Sequence, residues 1–183
     1  YAEEDLRAIV RRSASILGLE VTDDAAAAIA ARGRATPRIV NRLLKRVRDH
    51  AEVHGDGRVT LAAVDEAMGV LEIDAEGLDA TDRRLLAAIV GKFGGGPVGV
   101  AALAAILAEE TETVEDVYEP YLLRIGFLDR TPQGRVATDR ARAHLAALGY
   151  DVPPRRTERE PNLWETTPPS GPAQGLAAPV DGA

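Results

Sequence analysis

Phe127-Leu128-Asp129-Arg130-Thr131-Pro132-Gln133-Gly134-Arg135-Val136-Ala137 is the stretch on which the reading of this chain turns. Two short runs of strand-forming residues flank a Pro/Gly turn, which predicts a β-hairpin with Arg130 before the tip and Arg135 after it. Thr138 stands where it can cap a following helix that carries Ala141, Leu145 and Leu148. Upstream, Thr113 with Asp116 predicts the start of another helix, with Val114, Val117, Tyr118, Tyr121, Leu122 and Ile125 on its inner face. Pro120 should kink or divide that helix, because it lacks a donor and crowds the preceding turn.

Further upstream, Asp79-Ala80-Thr81-Asp82 reads as a capping box for a helix whose stripe is Leu85, Leu86, Ile89, Val90 and Phe93. Gly94-Gly95-Gly96-Pro97 then breaks the chain, Val98-Gly99-Val100 allows a short strand, and Leu103, Ile106 and Leu107 mark a second helix. Helix, short strand, helix, helix, two-stranded hairpin is the order of a winged-helix domain. Many such domains bind duplex DNA and others are protein-interaction modules, so the ligand needs its own evidence.

The first segment predicts four helices. Leu6, Ile9, Val10, Ser13, Ile16 and Leu17 mark one, ended by Gly18; Thr22 can cap the next, through Ala26, Ile29 and Ala30. Thr36-Pro37 starts a third, with a capping hydroxyl followed by a residue whose missing N–H costs nothing there. Its buried stripe is Ile39, Val40, Leu43, Leu44 and Val47, and Thr60 opens a fourth helix through Val64, Ala67 and Met68. The expected fold class is therefore mainly α: a small helical bundle over residues 1–76, with an acidic hinge at 72–77, then a winged helix over 77–148 with a short β-hairpin wing. Residues 149–183 are rich in Pro and Gly, lack a periodic apolar face and are expected to be a disordered tail, with Trp164 beside Leu163 as its one candidate anchor.

The 183 residues carry 22 Lys and Arg against 29 Asp and Glu, a net charge of -7, with 45% apolar and 4% aromatic side chains. Few aromatics and many alanines suit closely approaching helices. The absence of Cys excludes a disulfide scaffold, a Cys-built zinc site and a thiol nucleophile, and fits a cytoplasmic location. No apolar run is long enough for a membrane span. The start, Tyr1-Ala2-Glu3-Glu4-Asp5, reads as the middle of a longer protein.

Charge is informative where it is uneven. From Ala25 to Arg48 the chain has Arg32, Arg34, Arg38, Arg42, Lys45, Arg46 and Arg48 and no acid. Arg38 follows Thr36-Pro37 directly, in the first turn of its helix, where the dipole disfavours a cation unless an anion is near. A bound phosphate would resolve that conflict; a surface carboxylate paired to Arg38 would do so equally. Arg42 and Arg46 continue its stripe. At the hairpin tip, Arg130 and Arg135 suit phosphate contact, whereas Glu109, Glu110, Glu112, Glu115 and Asp116 make the third helix too negative to enter a major groove. If this winged helix meets DNA, it should do so through the wing and without base reading; a basic protein partner for the acidic helix is the competing reading, and a sequence-specific regulator is disfavoured. No catalytic constellation is legible, and His50 and His54 lack the carboxylate or thiolate company of a metal site.

The runs Arg7–Arg12, Ala30–Asp49, His54–Gly57, Lys92–Gly99, Glu115–Leu128 and Arg130–Arg135 closely resemble the RuvB family of bacterial Holliday-junction branch-migration motors. The resemblance implies a hexameric AAA+ ATPase that encircles duplex DNA, uses ATP and Mg²⁺, and works with RuvA and RuvC. It assigns residues 1–76 to the small helical lid and 77–148 to the winged helix. The large ATPase domain, with its Walker motifs and its RuvA-contacting hairpin, is not represented, so this segment alone is expected to hold no catalytic residue and to be inactive. The resemblance also implies that Arg38 is the sensor-2 arginine that reaches the terminal phosphate, with Thr36 and Pro37 as scaffold contacts, and that Arg130, Arg135 and Gln133 lie at the DNA-contacting wing. Two departures stand out. Ala35 replaces a usual Gly, which strains the loop only if φ there is positive, and Gln133 replaces a usual Arg, which should lower the salt slope of DNA binding by about 0.9.

Overall fold

The computed structural model describes residues 1–154; Leu163, Trp164 and the rest of the expected tail lie outside the described residues. The first segment folds into α1 (Glu3–Ile16), α2 (Asp23–Ala31), α3 (Pro37–His54) and α4 (Leu61–Val70), as the apolar spacing requires. Their shared core holds Leu6, Val10, Ile29, Val40, Leu43, Leu44, Val47, Val64 and Met68. Ala25, Ala26 and Ala30 are all buried on α2, so that this short helix lies close to its neighbours. A parallel bridge between Val21 and Val59 joins the two loops flanking the bundle.

The second segment is α5 (Ala80–Ala87), continued by a π-helical turn over Ala88–Lys92, then α6 (Val100–Leu107). A third helical stretch runs through α7 (Thr111–Thr113), a π-helical turn at Val114–Tyr118 and α8 (Glu119–Arg124). The hairpin is β1 (Leu128–Thr131) and β2 (Gly134–Ala137), and α9 (Asp139–Ala147) closes the domain. Leu85, Leu86, Ile89, Leu103, Leu122, Phe127 and Leu145 fill its core. The described residues are mainly helical with one small antiparallel sheet.

Several local expectations hold and others do not. Asp79 accepts from the Thr81 and Asp82 amides, Asp82 accepts from the Asp79 amide, and Thr60 and Thr138 accept from Ala63 and Ala141. Thr22 and Thr36 are N-caps by position only: their hydroxyls bond Asp24 and the Arg34 carbonyl instead. The third helical stretch of the winged helix begins at Thr111, so Thr113 does not cap it. Pro120 interrupts the helix as expected, with α8 starting anew at Glu119. It sits in the first turn of α8, and the backbone before it widens into the π-helical turn, which absorbs the missing donor.

The Val98–Val100 strand shrinks to one bridge, in which Val98 and Arg135 exchange backbone bonds of 3.0 and 2.8 Å. Gly134 is required there: its φ is +140°, and a Cβ would lie 2.4 Å from the Val98 carbonyl oxygen. Residues 149–154 are not free tail. The Tyr150 amide bonds the Leu145 carbonyl, Val152 packs on the core and Arg142 donates to the Pro153 carbonyl.

The segment expected to be a hinge is tied down. Asp74 Oδ1 accepts from the Glu76 and Leu78 amides, His144 Nε2 lies 2.8 Å from Asp74 Oδ2, and the Tyr121 hydroxyl donates to the Glu76 carbonyl. Arg83 donates to the Glu72 carbonyl at 2.8 Å. An acidic, Gly-ended run reads as flexible in sequence because its partners lie up to 70 residues away.

Candidate functional site

Pro37 at the start of α3 presets the backbone and leaves Arg38 in the first turn, where the side chain is exposed. No acidic residue shares that turn, and among the described residues no carboxylate pairs with Arg38, Arg42, Lys45 or Arg46. The surface carboxylate that could have explained Arg38 is therefore not found there. The first turn of α3 also has no side-chain cap, so both its dipole and its cation face solvent unopposed. This arrangement fits a phosphate-bearing ligand. Arg42 and Arg46 follow Arg38 at four-residue spacing along α3, and all three are exposed. Arg42 and Arg46 line a groove beside Leu71 and Ile73, and Arg42 also lines a 700 Å³ cleft with Thr36, Tyr118 and Arg124; Arg38 borders neither.

The question left open at Ala35 is decided: its φ is +48°, next to Arg34 at +50°. Two consecutive non-glycine residues in the left-handed region cost about 1–2 kcal/mol each, and such strain persists only where the surroundings over-determine it.

At the wing the structure differs from the expectation of two free guanidiniums. The register places Arg130 directly opposite Arg135, a like-charge pair that would repel if nothing lay between them. Glu119 lies there. Its side chain is 0% exposed; Oε1 accepts from Arg135 Nε at 2.5 Å, Oε2 accepts from Arg135 Nη2 at 3.2 Å, and Oε2 also accepts from Arg130 Nη2. Glu115 adds a 2.6 Å contact to Arg135 and a 4.0 Å contact to Arg130. The carboxylate bonds raise the Arg135 pKa further, so this cation is permanent. Arg135 is only 11% exposed and acts as a strut between wing and helix, whereas Arg130 is 52% exposed and Gln133 is exposed at the tip. Burial has spent the charge of Arg135 internally, so it is not a free phosphate ligand.

Sequence reasoning missed Glu119 and Arg34. Glu115 and Glu119 are one turn apart, and their spacing could have flagged a common face toward the wing. Arg34 carried no such signal. It belongs to the basic run in sequence, yet its side chain is 16% exposed and bonds Gly77, Asp79 and Asp82. His50 lies 3.1 Å from Glu66, a carboxylate contributed by α4, but no group of three His, Asp or Glu side chains forms a metal-binding cluster among the described residues.

A family model described as the RuvB AAA lid domain matches residues 1–74, and one described as the RuvB C-terminal winged helix domain matches residues 75–146. The chain belongs to the RuvB family. It is 55% identical over 154 residues to the Holliday junction branch migration complex subunit RuvB of Thermobifida fusca, covering 84% of this chain and 43% of that protein. The RuvB of Chloroflexus aggregans is 52% identical over 175 residues, covering 96% of this chain and 47% of the relative. Among solved structures, the Thermotoga maritima RuvB Holliday junction branch migration motor superposes with a TM-score of 0.77 at 48% identity, over 84% of this chain and 50% of that one. The chain thus spans about half the length of the RuvB proteins it matches. No helix among the described residues is long and apolar enough to cross a membrane.

Proposed function

We propose that this chain supplies the nucleotide-sensing lid and the DNA-contacting winged helix of an ATP-driven motor that moves Holliday junctions during recombination and repair. The observation that carries the reading is Arg38: an exposed guanidinium with no carboxylate partner among the described residues, in the uncapped first turn of α3. In a RuvB-family lid that position meets the terminal phosphate of ATP, with Thr36 and Pro37 shaping the loop around it. ATP with Mg²⁺ supplies the hydrolysable phosphoanhydride. In this reading the lid and winged helix contribute sensing and transmission, and the cleavage chemistry belongs to the ATPase domain of the whole motor.

The wing then meets the DNA backbone through Arg130, with Gln133 at the tip and Arg135 holding the hairpin in place. Contact of this kind is indifferent to base sequence and weak per subunit, and a ring of six engaging one duplex raises the effective affinity. Assembly with RuvA and RuvC at the junction, in the bacterial cytoplasm, completes the proposal. Its support is that the relatives are subunits of a Holliday junction branch migration complex.

The test uses the full-length protein. Arg38→Ala should abolish ATP-coupled branch migration while leaving the thermal midpoint unchanged, because an exposed, unpaired side chain contributes little to stability. Arg130→Ala should reduce DNA translocation more than basal ATP hydrolysis. Normal coupled migration by Arg38→Ala would overturn the assignment. Unaltered DNA handling by Arg130→Ala would favour the competing protein-interaction reading of the winged helix.

A further inference from the structure

We propose that Arg34 is a positioning residue that locks the winged helix to the sensor loop, so that movement of the α3 N-terminus is delivered to the wing as a rigid displacement. The inference rests on the function proposed above and deepens it by naming the side chain through which the two halves communicate.

Arg34 lies four residues before Arg38, in the loop between α2 and α3. Its own φ of +50° and that of Ala35, +48°, turn the backbone back on itself. The long side chain can then leave the lid and cross to the other domain. There the planar fork is used on several sides at once. Nε donates to the Gly77 carbonyl at 2.9 Å, Nη2 donates to Asp79 Oδ2 at 3.3 Å and to Asp82 Oδ2, and the guanidinium lies 4.9 Å from the Tyr121 ring centroid. A lysine offers a point charge and could not reproduce that set.

The partners are structural elements of the winged helix. Asp79 and Asp82 form the capping box of α5, whose Leu85 and Leu86 lie in the winged-helix core. Asp82 is fully buried, so Arg34 is the cation that faces its charge across the domain boundary. Tyr121, on α8, also donates to Glu76, and α8 begins at Glu119, the carboxylate that holds both wing arginines. The contacts therefore run without a gap from the sensor loop through Arg34 and Tyr121 to Glu119 and the hairpin. Because Asp74, Glu76 and Glu72 are themselves bonded to the winged helix, the linker cannot absorb a lid movement by swinging freely. Gly77 closes the joint: a Cβ there would lie 2.9 Å from the Arg32 carbonyl oxygen.

The test exploits the absence of cysteine. In the 183-residue chain, Val53→Cys on α3 and Ala146→Cys on α9, both exposed, carry spin labels for pulsed distance measurement. With Arg34 present the distance distribution should be single and narrow. Arg34→Gln should broaden it, and Arg34→Lys should fail to restore it. The double variant Arg34→Gln with Asp82→Asn leaves no orphaned buried carboxylate and should broaden the distribution equally, which separates loss of the lock from loss of folding. In the full-length motor, Arg34→Gln should leave ATP affinity and basal hydrolysis unchanged while lowering branch migration per ATP about tenfold, the scale of a typical coupling between sites. An unchanged narrow distribution in both variants would overturn the lock. A broadened distribution with undiminished migration per ATP would overturn its role in coupling. Absence of ATP-driven migration in the unsubstituted motor would overturn the proposed function, and the coupling role with it, while the distance measurement would still decide the lock.

Discussion

Replacing Glu119 by glutamine should move stability and DNA binding in opposite directions. The side chain is fully buried and meets Arg135 through both of its oxygens and Arg130 through one. Glutamine keeps the shape but only one acceptor and no charge, so two guanidiniums that face each other across the hairpin lose their common counter-ion. Breaking a buried ion pair by neutralising one partner costs about 3–5 kcal/mol. Glu115 remains 2.6 Å from Arg135, and Arg130 is half solvated, so the lower end applies, about 3 kcal/mol. For a chain of this size that corresponds to a fall in thermal midpoint of about 6–12 °C. The wing cluster goes from two cations and two anions to two cations and one anion. One released guanidinium then adds a phosphate contact, and the slope of log affinity against log salt should steepen by about 0.9. Circular-dichroism melts and fluorescence anisotropy on a random duplex, over about 50–200 mM salt, measure both quantities. Glu119→Gln with Arg135→Met should recover part of the lost stability, since the orphaned buried cation is gone. An unchanged midpoint, or weaker DNA binding at temperatures where the variant is folded, would refute the bridge.

Two further outcomes follow from the backbone and from a buried acid. With φ of +48° at position 35, Ala35→Gly should raise the thermal midpoint slightly, relief of about 1 kcal/mol exceeding an entropy cost of about 0.5; Ala35→Val should lower it, and the reverse order in melts would contradict the left-handed loop. Burial pushes the Asp82 carboxyl up to about 6 from an ordinary 3.8, against the pull of Arg34. The native state therefore binds more protons than the unfolded chain between those values, so the contribution of Asp82 is full at the acid end and is lost as pH rises through about 6. The stability difference between the parent chain and Asp82→Asn should shrink from about pH 4 to pH 7, and a difference that grows across that window would reverse the assignment.

What the sequence by itself determined is what is settled within a few residues or by simple periodicity. The helical stripes, the Asp79–Asp82 box, the Thr60 and Thr138 caps, the hairpin closed by Pro132 and Gln133, and the placement of Arg38 in the first turn after Pro37 were all legible, because each depends on spacings of three or four positions. The chain's relation to RuvB was legible for a related reason, since long runs that resemble a family's motifs need no geometry to compare. The tertiary structure decided where the charges went. Arg135 is captured by Glu119 across 16 residues, Arg34 by Asp82 across 48, and His144 meets Asp74 across 70. Thr36 and Thr22 show the same limit on a smaller scale, because a hydroxyl chooses among neighbouring acceptors only when the loop conformation is known. A cation written in a sequence is a cation in any fold, and whether it faces a phosphate or a buried carboxylate depends on desolvation and on partners brought together by packing. Arg38 was left in water and Arg135 was not, and only the packing of α8 against the hairpin separates the two.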